Sequence, residues 1–111
     1  MTRKFPICPD RIRNVPEQFS WVDHRLIRDH YIELLSHEAA ALYLFLVTVA
    51  DCQGLSYYSD VSLCERLSLN MPTLAAARIC LVKAGLVVYQ KPLYQVLALG
   101  GSLQEVADDH L

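Results

Sequence analysis

Residues 59–99 read S-D-V-S-L-C-E-R-L-S-L-N-M-P-T-L-A-A-A-R-I-C-L-V-K-A-G-L-V-V-Y-Q-K-P-L-Y-Q-V-L-A-L, and this stretch decides the fold. Ser59 can cap a helix through its hydroxyl, and Asp60 suits the positive end of the first turn. Val61, Cys64 and Leu67 then recur at helical spacing until Ser68-Leu69-Asn70 breaks the pattern. Asn70 is a second N-cap, and Pro72 falls in the first turn, where a missing N–H costs little. Leu74, Ala77 and Leu81 give this second helix an inward stripe. Gly85 stops it as the residue that tolerates a left-handed conformation. Leu86–Gln90 and Leu93–Leu99 are rich in β-branched, aromatic and aliphatic residues and are split by Lys91-Pro92. The stretch therefore predicts helix, tight turn, helix and a two-stranded hairpin.

The phrases L-C-E-R-L-S-L-N-M-P-T-L and L-V-K-A-G-L-V resemble the pattern of winged helix-turn-helix domains. The matching positions are Leu63 and Leu67 on the first helix, Asn70 as the cap, Leu74 four residues on, and Leu81 before Gly85-Leu86. The resemblance covers residues 36–99 and speaks to the fold. It implies an α+β, mostly helical domain with a two- or three-stranded antiparallel wing, of the kind found in small bacterial and mobile-element proteins. Repressors, replication initiators and protein-docking modules all use this architecture, so the role has to be argued from the surface.

A chain of 111 residues suits one domain with a modest core. Its hydrophobic content of 53% is high for that size, and either a partner surface or a dense core accounts for it. No run reaches the roughly 18 apolar residues of a membrane span, and the N-terminus has no apolar core of signal-peptide length. Cys8, Cys52, Cys64 and Cys80 form no C-x-x-C pair, which is the usage of a reducing, cytoplasmic compartment. The net charge of −2 is uninformative until it is divided along the chain. Residues 1–30 carry a balance of +2 and residues 31–70 a balance of −4. Residues 71–99 carry Arg78, Lys83 and Lys91 with no acid, and residues 100–111 carry a balance of −3.

Residues 1–18, with three prolines, read as an extended basic arm. Residues 19–99 read as the winged-helix domain. In it, Phe19–Val22 suggests a strand with Trp21 as a core anchor. Asp23 caps a short helix with Leu26 and Ile27 inward. Ser36 caps a helix from His37 to about Ala50 that is apolar nearly all round and so should be central. Leu55–Tyr58 is positioned to join the wing as a third strand. In residues 100–111, Gly100-Gly101 is a hinge before a short helix capped by Ser102, with Leu103 and Val106 on its apolar side.

In a domain of the resembled kind the second helix enters the major groove. That places Met71, Thr73, Ala75 and Ala76 at base edges, with Arg78 on guanine or a phosphate. Lys83 and Lys91 become phosphate contacts, and Arg3 and Lys4 in the arm follow the backbone. Arg78 lies close to the inward stripe, however, and Ala75, Ala76, Ile79 and Cys80 stand where polar readers are usual. The same face also suits protein docking, so the two readings are duplex DNA bound by a homodimer and a protein-interaction module. Four tyrosines, Tyr57, Tyr58, Tyr89 and Tyr94, admit a small-ligand pocket as a third. No metal is expected: Asp23-His24 and Asp29-His30 are spaced so that they miss a common helical face. No cofactor or catalysis is expected either, because phosphate-loop, nucleophile-elbow and zinc-protease motifs are missing; Cys8 is the least unlikely nucleophile.

Overall fold

The computed structural model describes residues 4–100. Ser36 Oγ accepts the Ala39 N–H at 3.1 Å and starts helix α2 (His37–Val49), which follows the single turn α1 (Arg25–Arg28) and a 3-10 turn, Tyr31–Leu34. The Asp51 carboxylate then accepts the N–H groups of Gln53 and Leu55 at 2.9 Å each and turns the chain into strand β1 (Leu55–Tyr57). Gly54 sits in this turn at φ +85°, and a Cβ there would stand 2.5 Å from the Val96 carbonyl oxygen, so only glycine fits. Helix α3 (Asp60–Leu67) is capped by Ser59 and closed by Ser68 in the left-handed region. Helix α4 (Met71–Lys83) is capped by Asn70 and followed by Gly85 at φ +76°. Strands β2 (Val87–Gln90) and β3 (Leu93–Val96) form the hairpin.

The sheet is antiparallel in the order β1-β3-β2, so β1 joins the wing as expected, with Tyr57 opposite Leu93. Helices predominate, and the sequence helix, strand, helix, helix, hairpin is that of a winged helix. Helix α2 packs chiefly on α4, and Leu42, Leu46, Leu63, Leu74, Leu81, Leu86 and Tyr94 fill the interior. Among the described residues no helix is long and apolar enough to cross a membrane.

Several expectations need correction. Phe19–Val22 is not a strand, and Trp21 is 73% exposed rather than a core anchor. The segment is tethered by the Ser20 hydroxyl donating to the Thr48 carbonyl at 3.0 Å, without sheet pairing that would bury it. Ile27 is exposed because α1 is one turn long and only Leu26 faces the interior. Helix α3 rotates Leu63 inward and leaves Val61 exposed, and α2 leaves Leu44 exposed despite its all-round apolarity. The hairpin's last strand ends at Val96, although Leu99 remains buried. The helix expected after Ser102 lies outside the described residues.

Candidate nucleic-acid interface

Asn70 Oδ1 accepts the Thr73 N–H at 2.9 Å, which fixes where α4 begins and turns its first residues to the surface. Leu74, Ala77 and Leu81 hold its inner face against the core. Opposite them lie Pro72, Ala76, Ile79 and Lys83, at i, i+4, i+7 and i+11, all exposed. Met71 is exposed beside this row, and the Cys64 thiol lies 3.5 Å from its sulfur. Thr73 and Ala75 are half-buried on the flanks. Cys80 is also half-buried, its thiol 3.5 Å from the Leu34 carbonyl, so it belongs to packing more than to an outward face.

Arg78 is where the structure departs from the sequence reading. Its Nη1 donates to Asp60 Oδ1 at 2.8 Å and to the Tyr94 hydroxyl at 2.6 Å, and its guanidinium carbon lies 4.3 Å from the Tyr89 ring centroid. The side chain is only 15% exposed. Burial alone would lower its pKa, but the bonds to Asp60 and Tyr94 outweigh that and raise it above the usual arginine value. Burial likewise pushes the Tyr94 hydroxyl up, against the pull of Arg78. The arginine therefore ties the start of α3, the middle of α4 and the wing into one unit, in place of the base or phosphate contact expected of it.

Lys83 at the end of α4 and Lys91 at the hairpin tip are both exposed, and so is Lys4 in the arm. Arg3 lies outside the described residues. Arg66 is a further exposed cation, its guanidinium carbon 5.7 Å from the Phe45 ring centroid, and Phe45 in turn meets Tyr58 edge to face at 5.0 Å. Sequence reasoning overlooked Arg66 because it sits within the acidic 31–70 stretch. The four tyrosines do not share a pocket. Tyr57 is exposed, Tyr58 packs on Phe45, and Tyr89 and Tyr94 stack at 4.5 Å around Arg78.

A cavity of about 540 Å³ lies elsewhere, between the end of the arm, the C-terminal half of α2 and the chain leaving β3. Phe19, Trp21, Tyr43 and Val47 supply its apolar wall, and the Asp23–Arg25 pair its polar one. Arg25 Nη2 donates to Asp23 Oδ2 at 2.7 Å, and the Arg25 backbone N–H donates to Oδ1 at 2.9 Å. These bonds hold the Asp23 carboxyl down at about 2. The pair satisfies itself, and the other carboxylate on the lining, Asp51, accepts the Gln53 and Leu55 N–H groups.

No protein-family model matches the chain, and no curated protein matches it. Among solved structures, one described as "Structure of Rep-DNA complex" matches with a TM-score of 0.54 at 15% identity, over 85% of this chain and 85% of that one. At that identity the likeness concerns the fold.

Proposed function

We propose that this chain is a duplex-DNA-binding winged-helix protein, acting as a homodimer in transcriptional, replication or mobile-element control in the cytoplasm. It binds rather than catalyses. The observation that carries the reading is the placement of α4: capped, braced from behind by Arg78, and exposed along one face in a segment, residues 71–99, with no carboxylate. An α-helix fits the major groove, and the outward residues of its first half reach base edges. Met71, Thr73 and Ala76 take that role here. Lys83 and Lys91 contact phosphates on either side, and Arg3 and Lys4 extend the contact along the backbone. Arg78 positions the helix and does not touch DNA. The likeness to a structure solved as a DNA complex supports the reading. The dimer is supported by the arm, where Phe5, Ile7, Ile12 and Val15 are 58–102% exposed among the described residues and offer an apolar surface to a second copy.

The test is fluorescence anisotropy with a labelled mixed-sequence duplex at about 50 and about 200 mM salt. A protein neutralising several phosphates loses orders of magnitude in affinity across that range. Absence of binding at the lower salt counts against the reading.

The exposure of Ile79 and Val82 favours one rival, in which the same face docks on protein. Light scattering of Ile79→Glu in the absence of DNA tests it: dissociation into a folded monomer assigns the face to protein, and an unchanged mass counts against that rival.

A further inference from the structure

The exposed face of α4 has almost no hydrogen-bonding capacity before its last residue, Lys83, which stands at the end of the helix where a phosphate is in reach. Pro72, Ala76 and Ile79 form the rest of the row, Ile79 being 54% exposed, and Met71 beside it is 51% exposed. The helix has one arginine, and Asp60 and Tyr94 hold it. No guanidinium or side-chain amide on α4 is therefore available for the paired bonds that distinguish guanine or adenine. In the major groove one base presents an apolar mark, the C5-methyl of thymine.

We propose that α4 reads thymine C5-methyl groups, so that the chain selects A·T-rich duplex through apolar contacts of Met71, Ala76 and Ile79 rather than through hydrogen bonds to base edges. This rests on the DNA-binding reading above. Charge argues for DNA as the occupant of this face. Lys83 lies in the row and Lys91 stands at the wing tip, residues 71–99 hold no acid, and the nearby Asp60 is already paired with Arg78. An apolar strip bordered by cations complements a groove with methyl groups on its floor and phosphates along its edges.

The probes are labelled duplexes of about 20 base pairs, enough for two half-sites one helical turn apart. One is alternating A·T, and one is identical except that deoxyuridine replaces every thymidine. A third alternates G·C, and a fourth carries 5-methylcytosine in place of cytosine. Deoxyuridine removes the methyl and keeps every hydrogen-bonding group and phosphate. Desolvating one methyl is worth about fourfold in affinity, so two or three contacts predict a loss of about fifteenfold to about sixtyfold. The 5-methylcytosine duplex should gain over its unmethylated form, and salt slopes should be parallel throughout because methyl groups carry no charge. Met71→Ala and Ile79→Ala, both at exposed positions, should shrink the thymine-to-uracil ratio. Salt-sensitive binding that ignores the methyl overturns this inference and leaves DNA binding standing. No salt-sensitive binding to any duplex overturns both, and loss of self-association in Ile79→Glu would then assign the face to protein.

Discussion

A guanidinium whose Nη1 donates to both Asp60 and Tyr94 is turned inward, its side chain only 15% exposed, and that separates two cations that look alike in the sequence. Arg78→Ala removes the partner of the Asp60 carboxylate, whose side chain is only 27% exposed, and strands the hydroxyl of buried Tyr94. The expected cost is about 1–3 kcal/mol, read as a lower urea midpoint with unchanged slope. At temperatures where the variant is folded, the salt slope of DNA binding should match the parent. Lys91→Ala should do the opposite: stability within about 0.5 kcal/mol of the parent, and a salt slope reduced by about 1 for each chain bound. If Arg78→Ala flattens the slope while Lys91→Ala does not, the contact assignments are reversed. Asp23 gives a pH prediction of definite sign. Its carboxyl is held at about 2, below the ordinary 3.8, by the Arg25 side chain and backbone N–H. The clasp is therefore fully formed above pH 3.8 and is lost as pH falls through about 2. A carboxyl-carbon NMR titration should find that low midpoint, and Arg25→Ala should return it toward the ordinary value.

The three longest helices begin with the same device. Ser36, Ser59 and Asn70 each accept the N–H three residues on, at 3.1, 3.1 and 2.9 Å. Asn70→Ala should cost about 1 kcal/mol by urea denaturation, whereas Asn70→Ser, which keeps an acceptor, should cost much less. An equal loss in both variants would mean that Asn70 contributes something other than its cap. Caps of this kind explain why the helix pair was legible in the sequence: acceptor, apolar period and terminating glycine lie within a few residues of one another. The third strand was legible for a related reason, since Leu55–Tyr57 is short, apolar and placed directly before the Ser59 cap. What depends on distant neighbours was not legible. Arg78 finds its partners 16 and 18 residues away, across two other elements, and nothing local marks Asp60 as more than a helix-start acid. Trp21 looked like a core residue because aromatic size argues for burial. Whether its segment joins the sheet is a tertiary fact, and it does not. Helix α2 had no directional pattern from which the exposure of Leu44 could be read.

The molecule as a whole is more extended than a closed domain of its length. Its radius of gyration is 16.4 Å, against about 13 Å for a globular chain of about 100 residues. Among the described residues every buried side chain lies between Leu26 and Leu99, while residues 4–22 are exposed throughout. From Phe19 back to Lys4 the backbone can reach up to roughly 50 Å, enough to cross a neighbouring copy or follow a DNA strand. Its composition is mixed, with Lys4, Arg11 and Arg13 interspersed among Phe5, Ile7, Ile12 and Val15. On the present reading the apolar residues cover a second copy and the cations at the tip reach phosphates, so deleting residues 1–18 has two separable consequences. Light scattering should show the mass falling from two chains to one. The salt slope should fall as well, by up to about 2 for each arm if Arg3 and Lys4 each neutralise a phosphate. Near-UV circular dichroism should be unchanged apart from the loss of Phe5, because the deletion removes no core residue. A truncated chain that still has the mass of two would place the dimer seam on the body instead, and a truncated dimer with an unchanged slope would take Arg3 and Lys4 off the DNA.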